Sequence, residues 1–264
     1  MKQRFFKQGF FILLLLFCVF FSCIASASVR VEPSRFIFIV DPGERVTGSI
    51  KVTNNGEETL ELSAALYDWT IDEENQPLMF KEGKLDSSLQ GTIKFNPRQF
   101  TLEPGETQIV RFTVKAGDNQ IKEKRGIVFF EHDYPLVENK TGARIVAQVG
   151  SNIYLISTKT KFNFKLEKVD IDTDTNENML LNLDLKNNGD AHIRATGNYK
   201  IIDDKGVLST KGSITKSIIL PSMKSVLKIP LEEKLAEGKY KVILTFNFHG
   251  IKESFTYDEV VEIK

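Results

Sequence analysis

Apolar and polar residues alternate with a period of two over most of the chain, the spacing of strands that bury one face. Val29-Arg30-Val31 alternates, and Phe36-Ile37-Phe38-Ile39-Val40 is a β-rich apolar run closed by the turn Asp41-Pro42-Gly43. Gly48-Ser49-Ile50-Lys51-Val52-Thr53 alternates again and ends in Asn54-Asn55-Gly56, a strong turn signal. A further strand starts at Leu60 and runs through Tyr67 and Trp69. Pro104-Gly105 precedes Ile109-Val110-Arg111-Phe112-Thr113-Val114, and residues 126–130 and 143–156 are two more β runs. Helix-compatible stretches are short, at 87–90 and 231–236. Strands punctuated by Gly, Pro and Asn turns about every ten residues predict an all-β sandwich.

The rhythm breaks at the polar Thr158-Lys159-Thr160-Lys161 and then begins again. Leu180-Leu181-Asn182-Leu183-Asp184-Leu185 leads into Asn187-Asn188-Gly189, an echo of Asn54-Asn55-Gly56. Pro221 stands before Val226-Leu227-Lys228-Ile229 much as Pro104 stands before Ile109. Strands at 238–244 and 255–263 finish the chain. The expected organisation is two tandem immunoglobulin-like domains, 28–160 and 161–264, each near the ~100 residues of such a sandwich.

Residues 1–27 read differently. Lys2, Arg4 and Lys7 precede a dense apolar run over 10–21, and Ala25-Ser26-Ala27 supplies the small-x-small pattern of a signal-peptidase site. The expectation is a signal peptide cleaved after Ala27 and a periplasmic or secreted, cell-envelope protein without a stable membrane span. A lipoprotein signal at Cys23 is the weaker alternative, because Phe20 stands where a lipobox wants Leu. Both cysteines, Cys18 and Cys23, fall in this segment, so the mature chain relies on no disulfide. Taking Lys2, Arg4 and Lys7 from the 35 Lys+Arg leaves 32 against 35 Asp+Glu, a net charge of −3 that gives no electrostatic case for nucleic acid.

The most informative stretch runs from Asn96-Pro97-Arg98 through Leu102-Glu103-Pro104-Gly105-Glu106 to Ile109-Val110-Arg111. An extended Pro segment leads to a buried Leu anchor, a Pro-Gly turn and a strand. It resembles the corresponding stretch of the PapD-like periplasmic pilus-assembly chaperones. Val31-Glu32-Pro33-Ser34-Arg35 is similar to the opening strand of that family, Val52-Thr53-Asn54-Asn55 and Tyr67-Asp68-Trp69 to its second and third, and Arg125-Gly126-Ile127-Val128-Phe129-Phe130 to its penultimate strand. The resemblance covers roughly 29–157.

That resemblance implies an ATP-independent chaperone whose first domain lends its last strand to an incomplete pilin-like subunit. The lending strand would be 143–155, with Ile145, Ala147 and Val149 on its apolar face, although alanines fill pockets poorly. It implies a basic pair for the subunit's C-terminal carboxylate. Arg35 matches one member, while Asn152 stands at the place of the family's Lys and carries no charge. The loop 135–142 is short, and Ile156-Ser157 occupies the place of a basic residue that ties the family's domains together. The alternative is a structural or adhesive envelope module that keeps the sandwich without donor-strand chemistry.

Other signals have plainer readings. Trp69 reads as a sandwich core residue and Arg111 as a solvated one. Asp170, Asp172, Asp174, Asn176 and Asn178 alternate, but Thr175 and Leu181 stand where an EF-hand needs Gly and Glu, so a solvated hairpin is expected and no metal. Asn139-Lys140-Thr141 is a glycosylation sequon. His132, His192 and His249 are far apart, Glu131-His132-Asp133 is an isolated cluster, and no nucleophile elbow, zinc motif or phosphate loop is present. We therefore expect no enzyme and no cofactor.

Overall fold

The computed structural model describes residues 29–72, 76–134, 145–248 and 254–263. The segment read as a signal peptide, the loop 135–142, the sequon, Ala143 and His249 lie outside the described residues.

The first ten strands are β1 (Val29–Glu32), β2 (Arg35–Val40), β3 (Arg45–Asn54), β4 (Leu60–Ile71), β5 (Pro77–Lys81), β6 (Ile93–Asn96), β7 (Gln99–Leu102), β8 (Thr107–Lys115), β9 (Lys124–Tyr134) and β10 (Ile145–Ser157). They make two sheets, ordered β1-β3-β8-β6 and β2-β10-β9-β4-β5, with β7 also paired to β4. The alternation seen in the sequence is what welds them. Ile50, Val52, Val110, Phe112 and Val114 of one sheet face Leu62, Ala64, Leu66, Val128, Phe130, Ile153 and Leu155 of the other in one buried cluster. β2 joins β10 in parallel, while the other pairings are antiparallel.

The remaining strands are β11 (Phe164–Thr173), β12 (Met179–Asn187), β13 (Ile193–Ile202), β14 (Leu208–Ile219), β15 (Lys224–Pro230), β16 (Gly238–Phe248) and β17 (Ser254–Ile263). They form sheets β11-β12-β15 and β14-β13-β16-β17 around a second core that includes Leu181, Leu183, Leu185, Ile201, Val242, Leu244 and Phe246. The described chain is thus all-β, built as two immunoglobulin-like sandwiches in tandem. Residues 87–90 and 231–236 form no helix. Leu89 is instead a fully buried plug in the first core, and the Leu231 N–H donates to the Met179 carbonyl at 2.8 Å. Tertiary burial outweighs the weak local preference of such short segments.

The echo between the two Asn-Asn-Gly turns is structural. Asn54 and Asn187 are both 0% exposed. Asn54 Nδ2 donates to the Glu58 and Leu102 carbonyls at 2.7 and 3.0 Å, and its Oδ1 accepts the Gly56 N–H. Asn187 Nδ2 donates to the Ala191 and Ile219 carbonyls at 2.8 and 2.9 Å, and its Oδ1 accepts the Gly189 N–H. The Asn54 carbonyl also accepts from Gly105 and the Asn187 carbonyl from Ser222, each just after a proline and each in the left-handed region at φ 77 and 66°.

Candidate functional site: a sheet face and a free strand flank

Strand register places the predicted residues. The parallel pairing sets Arg35 opposite Asn152 and Ile37 opposite Tyr154. Across the next pairing Asn152 meets Ile127, Tyr154 meets Arg125, Gly150 meets Phe129 and Gln148 meets Glu131. Tyr67 then meets Ile127 on β4. Paired residues share a face, so Arg35, Asn152, Ile127 and Tyr67 form one row, and Ile37, Tyr154 and Arg125 the next. Arg35 is exposed and makes no ion pair among the described residues. Asn152 is half-buried, and its main-chain N–H donates to the Ser34 carbonyl at 3.0 Å.

The face is polar at one end and apolar in the middle. Tyr67 Oη donates to Glu131 Oε1 at 2.7 Å, and Gln148 Nε2 donates to the same oxygen at 2.7 Å. The bond to Glu131, with some burial, raises the Tyr67 hydroxyl above its ordinary pKa. Gly150 is required by close approach. A Cβ there would lie 2.6 Å from Ile127 Cγ2 and 2.7 Å from Phe129 Cδ1, so bare backbone lets those side chains cover the strand.

This face meets the second sandwich. Trp69, Ile127 and Tyr154 pack with Leu220, and Ile218 and Met223 join them. Trp69, read as a core residue of its sandwich, therefore sits in the seam between the sandwiches, edge-on to Tyr154 at 6.1 Å. Charged groups surround the apolar patch. Glu123 is fully buried and accepts the His192 main-chain N–H at 2.9 Å and its Nδ1 at 2.5 Å through Oε2. Its Oε1 faces Arg125 Nη1 at 3.4 Å, and the Arg125 guanidinium lies 5.5 Å from the Trp69 ring centre. From β13, Arg194 Nη2 donates to Tyr154 Oη at 3.1 Å. Burial pushes the Tyr154 hydroxyl up in pKa, and Arg194 opposes this in part. Ile156-Ser157 lacks the basic residue that ties the family's domains, and the two sandwiches are linked instead by Glu123, Arg125, His192 and Arg194. The sequence held a faint signal for them: the charge run Lys122-Glu123-Lys124-Arg125 abuts an apolar strand, and Ala191-His192-Ile193-Arg194 alternates.

β10 has a second feature. β2 pairs only with Asn152–Ser157, whereas β9 pairs with β10 from Ile145 to Leu155. From 145 to 150, β10 therefore has a strand partner on one flank only, among the described residues. Ile145, Ala147 and Val149 lie there, opposite Tyr134, His132 and Phe130. Val149 packs against the first core, Ala147 is half-buried, and Val146 on the other face is 41% exposed.

Among the described residues no group of three or more His, Cys, Asp or Glu is arranged to hold a metal ion. The alternating acidic run is a hairpin: Asp174 accepts the Asn176 and Asn178 N–H groups at 2.8 and 2.9 Å, which lowers its pKa. No helix of the described residues is long and apolar enough to cross a membrane.

No family model and no curated protein sequence matches the chain. Solved structures do. The class 5 fimbriae chaperone CfaA aligns over 89% of this chain and 100% of its own, with a TM-score of 0.51 and 15% identity. A chain from a chaperone–tip adhesin complex in CFA/I fimbriae biogenesis aligns over 89% and 99%, with a TM-score of 0.50 and 15% identity. The expectation drawn from the sequence motifs and the arrangement of the strands agree: this chain has the two-sandwich fold of the PapD-like fimbrial chaperones.

Proposed function

We propose that this protein is a periplasmic chaperone that captures secreted fimbrial-type subunits by β-strand addition, without ATP. The observation that carries this reading is the free flank of β10 over 145–150. An unpaired flank offers main-chain donors and acceptors to an incoming strand. Ile145 and Ala147, at the end of β10 farthest from the strand it shares with β2, would supply side chains to a client that lacks a strand of its own. Val149 would join the client's core to this one. Arg35, exposed and without an ionic partner among the described residues, would bind the client's C-terminal carboxylate, and Asn152 beside it would add a neutral hydrogen bond. The shared fold with fimbrial chaperones supports the same reading, and nothing in it calls for a catalytic group or a cofactor.

The test is capture from the native envelope fraction with a tagged chain of residues 28–264, beside Arg35→Ala. Recovery of a small secreted subunit ending in an apolar strand, lost in the Arg35 variant, is expected. Binding indifferent to Arg35 would refute the carboxylate anchor. One observation favours the second reading, a structural or adhesive module: Val149 is already engaged by its own core. On that reading no such subunit is recovered.

A further inference from the structure

We propose that the outer face of the β1-β3-β8-β6 sheet carries a binding site for the phosphoryl group of a small ligand. This sheet is the one opposite the sheet that holds β10, so the site stands apart from strand addition and from the seam.

Strand register builds the site. Ile50, Val110, Phe112 and Val114 belong to the first core, so the residues that alternate with them face outward. Two complete rows cross the sheet there, Thr47-Thr113-Lys94 and Ser49-Arg111-Asn96. Neighbours within a row are about 4.5–5.5 Å apart, and the two rows are about 6.5–7 Å apart. These six residues line an open depression of about 510 Å³, a size within the range of small-molecule sites.

The six side chains are a set of donors without an acceptor. Lys94 and Arg111 are exposed cations that make no ion pair among the described residues. The three hydroxyls and the Asn96 amide likewise have no hydrogen-bond partner among them. No carboxylate lines the depression. Acidic residues accompany the flanking rows instead. On one side Arg45 stands opposite Lys115, which pairs with Asp118 at 3.1 Å. On the other, Lys51 stands opposite Glu32, which pairs with Arg30 at 3.5 Å. The two cations between these rows are left unmatched.

Chemistry selects the ligand. A phosphate monoester carries a charge of about −1.5 to −2 at pH 7 and three strong acceptor oxygens, which two cations and neutral donors match. Arg111 offers a planar fork and Lys94 a compact point charge. A carboxylate, with one charge and two oxygens, would leave a cation and several donors unused. The depression is larger than a bare phosphate fills, which leaves room for a small organic group.

The test is an amide NMR titration of the full chain with inorganic phosphate and with glycerol phosphate, against acetate at matched ionic strength. The amides of both rows should shift together, with a Kd of about 1 mM or tighter for the ester. Arg111→Gln and Lys94→Gln should each weaken binding about tenfold, the scale of one charge-assisted hydrogen bond at a solvated site. Lys51→Gln removes the same charge from the neighbouring row and should weaken binding by less than about threefold. Thermal melting of each variant controls for folding. Vesicles containing phosphatidic acid, compared with phosphatidylcholine alone, separate two sources of the group. Vesicle binding that Arg111→Gln abolishes identifies a lipid headgroup; a response to the soluble phosphates alone identifies a free ester. No response to phosphate, equal shifts with acetate, or equal weakening by Lys51→Gln and Arg111→Gln would overturn the proposal and leave only screening of surface charge.

Discussion

The buried asparagines Asn54 and Asn187 each satisfy three main-chain groups, and neither is replaceable by an apolar residue without loss. Asn187→Ala would strand the Ala191 and Ile219 carbonyls and the Gly189 N–H. We expect it to destabilise the second sandwich by about 2–4 kcal/mol, read as a lower denaturant midpoint. Tyr154 gives a pH prediction. Burial raises its hydroxyl above the ordinary tyrosine value of about 10, so the folded chain holds its proton where the unfolded chain releases it. The stabilisation is complete below about pH 10 and falls as pH rises through the folded value. Tyr154→Phe should therefore show a shallower loss of Tm across about pH 9.5–11.5 than wild type. Tyr67 and Tyr257 are raised too, so the dependence is reduced in this variant rather than abolished.

At the scale of strands, β10 does two jobs along its length. Ile153 and Leu155 are fully buried core, while 145–150 lack a second strand neighbour among the described residues. Ala147→Lys puts a charge at a half-buried position on the free part. We expect subunit capture to be lost with a change in stability within about 1 kcal/mol, measured by co-purification and by melting. Strand positions and turns were legible in the sequence because each is a local matter of alternation, Pro-Gly and Asn-Gly chemistry. The parallel union of β2 with β10 was not, since residues 35–40 and 152–157 are brought together by closure of the sandwich and nothing local records it. The same limit explains Trp69. Its burial was legible, but whether it faced its own core or the seam depends on register, and a shift of one residue exchanges the faces.

For the whole molecule the proposed function depends on the seam, because a cleft exists only if the sandwiches are held against one another. Arg35 was proposed from a motif, and the structure sets it opposite Asn152. For Glu123, His192 and Arg194 the local charge pattern was only a faint signal, since they lie far apart in sequence and acquire meaning only by folding together. Glu123→Ala would leave Arg125 buried with no carboxylate, at a cost of about 3–5 kcal/mol. It should broaden the distribution of interdomain distances in small-angle scattering while each sandwich keeps its strands. The central claim is that the free flank of β10 receives a client strand. Amide hydrogen exchange over 145–150, in the free chain and in the complex recovered from the envelope, tests it most directly. The account predicts rapid exchange of the outward-facing N–H groups in the free chain and strong protection in the complex. Equal exchange in the two states, with protection appearing elsewhere, would contradict it.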